Sequence, residues 1–191
     1  MKDTRTSLLL RIRDRSDSGA WNEFHALYAP LLYHFARSRG LSQADSEEVR
    51  DGCLAILARK MRSFDYDRER GRFKNWLRRI AENQCTDLLR QRRERVVGND
   101  QLRGFPAATS TPAQLWEEHW RDQHLRYCVN EIRPSVGERT YQIFEFLLFM
   151  GYPVKEVCQR LGVNANTVYK AKARVLERVR QKMGELGLDD L

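Results

Sequence analysis

Residues 73–93, FKNWLRRIAENQCTDLLRQRR, place apolar side chains three or four positions apart and fill the intervening positions with basic and amide side chains. An α-helix has 3.6 residues per turn, so this spacing puts the apolar side chains on one face and the charges on the other. The stretch therefore predicts an amphipathic helix with a basic outer face. The same spacing recurs from Leu8 to Phe35, with a break near residues 16–19, and from Val49 to Met61.

Signals for helix ends separate these segments. Gly40 ends one predicted helix, and Ser42 with Asp45 three residues later has the pattern of a capping box. Residues 96–112 contain two Gly, two Pro and the run TSTP, which is typical of a flexible linker. Alternation typical of a strand is not found over any useful length, so the sequence predicts an all-α fold. We expect two small helical domains, residues 1–95 and 113–191, joined by the linker at 96–112.

The second domain carries a predicted helix-turn-helix. Residues 153–161 have apolar side chains at the spacing of a short helix, Gly162 breaks it, and Asn164 is placed to cap the next helix. Pro153 fits the first turn of the first helix. The next helix buries valines on one face and leaves polar and basic residues free near its start, where such helices enter the major groove.

Charge is concentrated in two places. The 191 residues carry a net charge of +8: residues 68–95 hold +6, residues 166–182 hold +5 and the remaining 146 residues sum to −3. Two separate basic patches on a slightly acidic body predict two contacts with one polyanion. A plain alternative is that each patch is a solvated helix face.

Composition excludes several classes of protein. Apolar runs stay far below the roughly 20 residues needed to cross a bilayer, and no cleavable apolar leader is present, so we expect a cytoplasmic protein without membrane contact. The four cysteines are widely spaced and lack metal-ligand spacing, so we interpret them as reduced, buried thiols and expect no metal site or cofactor. The histidines are scattered and no phosphate-binding or nucleophile motif occurs, which disfavours an enzyme.

Two clusters carry candidate chemistry in the first domain. Aromatic and basic side chains near the start of the 73–93 helix suit unstacked bases, with residues 63–72 forming the wall of a pocket. For Trp76, packing in the core is an equally good interpretation. The second cluster is acidic and opens the preceding helix, which predicts a basic protein partner. Its members are Asp45, Glu47, Glu48 and Asp51.

Three segments together resemble one known family, the bacterial RNA polymerase sigma factors of the extracytoplasmic-function type. Residues 21–33 (WNEFHALYAPLLY), 45–54 (DSEEVRDGCL) and 73–93 are similar to successive parts of region two, and residues 151–180 are similar to region four. The ending KARVLERVR at 172–180 resembles the form common in planctomycete bacteria. Other interpretations of the residues are a helix-turn-helix repressor or activator and a single-strand RNA-binding protein.

The resemblance implies a subunit without a catalytic site that joins core polymerase, recognises promoter DNA and helps to open it. The acidic cluster would contact the clamp helices of the beta-prime subunit, the second domain would contact the beta flap, and an anti-sigma factor is a further partner that the family allows. The minus-ten element would be bound by Arg72, Phe73, Asn75, Trp76, Arg79, Asn83 and Arg90. The upstream element would be bound by Asn164, Asn166, Thr167, Tyr169, Lys170, Lys172, Ala173 and Arg174.

Two positions depart from the family's pattern. Gly52 follows Asp51 where Gln-Glu is frequent, and a glycine inside a helix costs about 1 kcal/mol relative to alanine. Ala171 stands in the second helix of the helix-turn-helix where an arginine is frequent. We therefore expect the basic surface of that helix, rather than individual base contacts, to be shared with the family.

Overall fold

A computed structural model describes residues 4–61, 73–96 and 110–185, and over these ranges it contains helices without any strand. The all-α prediction is confirmed. The elements are α1 Thr4–Arg11, α2 Ser18–Ser38, α3 Gln43–Lys60, α4 Phe73–Val96, α5 Pro112–Ile132, a 3-10 turn Arg133–Ser135, α6 Glu138–Leu148, α7 Val154–Leu161 and α8 Ala165–Glu185.

Local hydrogen bonds begin and end the helices where the sequence indicated. Gly40 follows α2 with φ +84°, a conformation that costs glycine little. The Ser42 hydroxyl oxygen accepts from the Asp45 backbone N–H at 3.1 Å, which satisfies one of the free donors at the start of α3. The predicted cap at Ser42 is confirmed. At the start of α2, Asp17 accepts from the Ala20 backbone N–H at 2.8 Å.

The chain divides into two compact units, and the division falls inside α5. One unit comprises Thr6–Gln123 and the other continues from His124. The sequence prediction instead assigned all of α5 to the second domain. The first half of the helix belongs to the first unit because its two tryptophans are buried there. Residues 97–109 of the predicted linker lie outside the described residues, and the functional assignment of the two domains stays a prediction.

Aromatic side chains form much of the core of the first unit. Trp116 and Trp120 of α5 are 0% and 1% exposed. The Trp116 ring meets the Phe35 ring edge-on at 5.0 Å, and the Trp120 ring lies 5.9 Å from the ring of Tyr28. Tyr28 in turn contacts Phe73 at the start of α4, with ring centroids 5.2 Å apart. The apolar faces of α2, α4 and α5 thus meet in one aromatic cluster. This cluster holds the start of α4 against α2.

The second unit contains the helix-turn-helix. Ile143 of α6, Val157 of α7 and Val168 of α8 are buried together, so the three helices share one small apolar core. Burying an aliphatic side chain of this size contributes roughly 1.5–3 kcal/mol. α7 ends at Gly162, whose φ of +60° begins the turn to α8, as the sequence predicted. Pro153 was predicted inside the first turn of α7; it lies instead at the N-cap, in extended conformation.

The cysteines are all free thiols, as predicted. Three of them, Cys53, Cys85 and Cys128, are buried, whereas Cys158 is half-buried. Burial raises the pKa of both Cys85 and Cys128 to about 11, so these thiols stay protonated at neutral pH. In the part of the chain that the structure describes, no helix combines the length and the apolar character needed to cross a membrane.

Candidate nucleic-acid and polymerase interfaces

The outer face of α4 presents a polar and basic stripe. Asn75, Arg79, Asn83 and Arg90 are all exposed, whereas Leu77 and other apolar residues of the opposite face are buried. With 3.6 residues per turn, the four exposed residues fall within about 80° of one another around the helix axis. Four of the predicted minus-ten residues therefore share one face, with side chains suited to phosphates and base edges.

The other three predicted minus-ten residues have different positions. Phe73 is 1% exposed and lies among the rings of Phe24, Tyr28 and Trp76, so neither face of its ring is open to a base. We therefore leave Phe73 out of the proposed interface, because its burial contributes to the core instead. Trp76 is half-buried, with its ring 5.9 Å from that of Phe73. Arg72 and the predicted pocket wall at 63–72 lie outside the described residues.

The acidic cluster at the start of α3 separates into a buried member and a surface. Asp45 is 9% exposed and accepts a hydrogen bond from Arg92 of α4. Glu48 and Asp51 are exposed and Glu47 is half-buried. Three carboxylates therefore remain toward solvent, and they form the acidic surface of α3.

Asp51 is ionised within this surface. Arg50 donates to both of its carboxylate oxygens, with Nε–Oδ1 at 2.7 Å and Nη2–Oδ2 at 3.1 Å. This hydrogen bonding lowers the pKa of Asp51, although the pair is exposed and adds little stability. A basic partner would therefore meet an arginine beside the carboxylate at this position.

Gly52 leaves room on α3 for the side chain of Gln84 from α4. A Cβ atom at this position would lie 2.5 Å from the side-chain oxygen of Gln84, well inside van der Waals contact. The glycine that departs from the family's pattern thus has a packing role that the sequence did not indicate. Beside it, a groove of about 150 Å³ runs between the two helices. Its lining residues are Glu48, Val49, Gln84, Asp87, Leu88 and Gln91.

The start of α8 is held by a side-chain cap. The side-chain Oδ1 of Asn164 accepts from the Thr167 backbone N–H at 2.8 Å and from the Thr167 hydroxyl at 2.9 Å. The predicted cap is confirmed. The same contacts engage the side-chain oxygen of Asn164, so this residue fixes the helix that carries its neighbours.

The upstream-element residues predicted on α8 all lie on its open surface. Val168, Ala171 and Val175 form the buried face, so Ala171 is a core position rather than a missing basic contact. The eight predicted residues are exposed, and Tyr169 retains 59% of its accessible surface. They are Asn164, Asn166, Thr167, Tyr169, Lys170, Lys172, Ala173 and Arg174. The structure thus places this whole set together on one short stretch of helix.

Two contacts that support these faces were missed from the sequence. The Lys74 ammonium lies 2.5 Å from a carboxylate oxygen of Glu117 and 5.5 Å from the ring centre of Trp120, which ties the start of α4 to α5. Arg92 binds Asp45 from 47 residues away. Nothing in the sequence named the partners of the two α5 tryptophans or that of Asp45.

The chain is similar to known proteins over most of its length. A family model, Sigma-70 region 2, matches residues 24–95, which span most of α2, all of α3 and most of α4. The chain is 24% identical over 177 residues to the ECF RNA polymerase sigma factor RpoE of Cereibacter sphaeroides, covering 93% of each protein. It is 22% identical over 185 residues to the ECF RNA polymerase sigma factor SigE of Mycolicibacterium smegmatis, covering 95% of this chain and 68% of that protein.

Residues 24–95 therefore belong to the Sigma-70 region 2 family. Together these similarities identify a sigma factor that directs the initiation of transcription. Among solved structures, the chain is similar to the sigma factor RpoE of Bartonella quintana in complex with the anti-sigma factor NepR. That likeness has a TM-score of 0.35 and 17% identity, and covers 86% of this chain and 96% of the other. Within residues 4–61, 73–96 and 110–185 of the sigma factor, no cluster of His, Cys, Asp and Glu side chains could hold a metal ion.

Proposed function

We propose that the sigma factor contacts core polymerase through the acidic surface of α3 and promoter DNA through the exposed faces of α4 and α8. The observation that carries this proposal is that each basic helix buries an apolar stripe on one side and exposes polar and basic residues from its predicted DNA-binding set on the other. A basic surface of this kind contacts phosphates, whereas exposed amides and cations in the groove contact base edges.

The division of labour follows the resemblance to the family. The face of α4 with Asn75, Arg79, Asn83 and Arg90 would bind the minus-ten element, with Trp76 at its edge. The eight exposed residues of α8 would bind the upstream element. The acidic surface of α3, formed by Glu47, Glu48 and Asp51, would bind the clamp helices of the beta-prime subunit.

Other partners and properties rest on the family resemblance. The second unit would contact the beta flap, and an anti-sigma protein would hold the factor inactive. The sigma factor would itself lack a catalytic site and act in the cytoplasm, where the polymerase works. Its ending at 172–180 supports a relationship to the planctomycete form of the family.

Transcription with purified core polymerase tests the proposal. Adding the sigma factor to core enzyme on a library of genomic fragments should give transcripts that share one upstream motif. Transcription without promoter selectivity would refute the proposed role of both DNA-binding faces.

A charge-matched pair of variants tests the α8 surface. Lys170→Ala with Arg174→Ala removes two cations near the start of the helix, whereas Arg178→Ala with Arg180→Ala removes two exposed cations from its later turns. The first pair should weaken promoter binding and lower the salt slope by roughly one for each lost phosphate contact. The second pair should have a smaller effect, and both should bind core polymerase normally. Equal losses from the two pairs would contradict the placement of the contact.

A further inference from the structure

Asp45 differs from the other acidic residues at the start of α3. Its side chain is 12% exposed, whereas that of Asp51 is 64% exposed. Asp45 occupies the first turn of α3, where the helix dipole favours a negative charge. A carboxylate buried to this degree needs a partner. Arg92, on a different helix, supplies that partner through Nη2.

Arg92 connects this carboxylate to the later turns of α4. Its side chain is half exposed, so one side of the guanidinium meets solvent while the other binds Asp45. The ion pair therefore joins the first turn of α3 to the basic segment of α4 that also carries Arg90. At the other end of α4, Lys74 and Glu117 form a second ion pair with α5. The exposed basic face of α4 lies between these two attachment points.

We infer that Asp45 is a positioning residue for the DNA-binding face of α4 and takes no part in the polymerase-binding surface. This inference rests on the proposed function. The Asp45 carboxylate already accepts a hydrogen bond within its own chain and is nearly inaccessible, so a partner protein would have to break the pair to reach it. Breaking it would leave a largely buried charge without its cation, which is strongly unfavourable.

A positioning role and a polymerase-binding role for Asp45 predict different effects of removing its charge on DNA binding and on polymerase binding. If Asp45 positions α4, removing its charge changes how the helix meets DNA and leaves polymerase binding intact. If Asp45 contacts polymerase, removing its charge weakens polymerase binding as removal of an exposed acid would. Glu48 offers the matched control, because it lies one turn further along the same helix and is exposed.

The experiment compares Asp45→Asn with Glu48→Gln in the full chain. Binding of labelled sigma factor to core polymerase is measured by fluorescence anisotropy. Binding of the holoenzyme to DNA is measured with a forked probe, double-stranded upstream and single-stranded at the minus-ten element, taken from a promoter mapped in the transcription experiment. Asp45→Asn should weaken probe binding by roughly threefold or more, the coupling expected of residues in contact, and change polymerase affinity by less than about twofold. Glu48→Gln should show the reverse pattern.

Two further variants distinguish positioning from a general loss of structure. Asp45→Glu keeps the charge and should restore probe binding to within about twofold of the wild type. In a double-mutant cycle, Asp45→Asn should add little to the loss of probe binding caused by Arg92→Gln, because the ion pair is already broken in Arg92→Gln. Circular dichroism melts identify any variant that fails to fold; if Asp45→Asn does, the decision passes to Asp45→Glu and Arg92→Gln.

Loss of polymerase affinity in Asp45→Asn equal to that in Glu48→Gln would overturn the inference, as would full additivity in the cycle. Failure of the wild-type chain to bind core polymerase would instead refute the proposed function, so the two failures are distinguishable.

Discussion

Replacing Trp116 by alanine should destabilise the first compact unit and leave the second unchanged. The sequence assigns this residue to the second domain, whereas its ring is fully buried against Phe35 of α2. The variant therefore tests to which unit the first half of α5 belongs.

The expected magnitude follows from the burial of the ring. Truncating a fully buried tryptophan to alanine costs about 3–5 kcal/mol, because apolar contacts are lost and a cavity remains. Each 1.4 kcal/mol changes the equilibrium constant between the closed and open unit about tenfold. The population of the open state should therefore rise by roughly a hundredfold or more. Amides of α2 that exchange only when this unit opens should speed up by the same factor.

Hydrogen exchange with mass spectrometry on the full chain measures this directly. Peptides from α2 should lose protection in Trp116→Ala, while peptides around Val168 of α8 should keep theirs. Phe144→Ala is the matched control, since it removes a fully buried aromatic ring from the second unit and should give the opposite pattern. Unchanged protection of α2 in Trp116→Ala, or greater loss in α8 than in α2, would refute the assignment of α5.

Three further changes test local features of the structure. In a Gln84→Ala background, Gly52→Ala should raise the free energy of unfolding by about 1 kcal/mol. With Gln84 present the gain should be smaller, because the new Cβ meets the Gln84 side chain. Equal gains in urea titrations of the two backgrounds would contradict this close contact. Burial, assisted by the charge of His34, lowers the pKa of His119. The stability that the neutral His119 side chain contributes is therefore present above the unfolded-state pKa of 6.5 and is lost as pH falls. His119→Gln should flatten the decrease in Tm on acidification, and an unchanged profile would exclude this role. Asn164→Ala should cost about 1 kcal/mol through loss of the α8 cap, whereas Asn164→Asp should retain the stability; equal destabilisation in thermal melts would show that the cap contributes little.

Sequence patterns predicted most of the secondary structure and part of the candidate site. Helical spacing gave α2, α3, α4 and α8, because the burial of one face requires apolar residues at a fixed period. The cap at Ser42 and the turn at Gly162 were predictable for the same local reason, since they depend on residues a few positions apart. The exposed faces of α4 and α8 followed from their buried faces, which is why the predicted sets largely stay together in space.

Contacts between distant segments were not predictable in this way. Phe73 and Asn75 both begin α4 beside basic residues, yet the first lies in the aromatic core and the second faces solvent. Asp45 and Glu48 likewise belong to one acidic run, and only the approach of α4 separates them. Neighbours in sequence carry the same local signal, whereas their environments depend on which other helix lies against them.

The amino-acid sequence by itself determined most of the helices, several of their ends, the two basic faces and the family resemblance. Tertiary structure alone decided that the first half of α5 completes the first unit, that Gly52 admits Gln84 and that Asp45 binds Arg92. The physical reason is range: helix period and capping act over one or two turns, whereas burial and ion pairing depend on surfaces that meet only after the chain has folded.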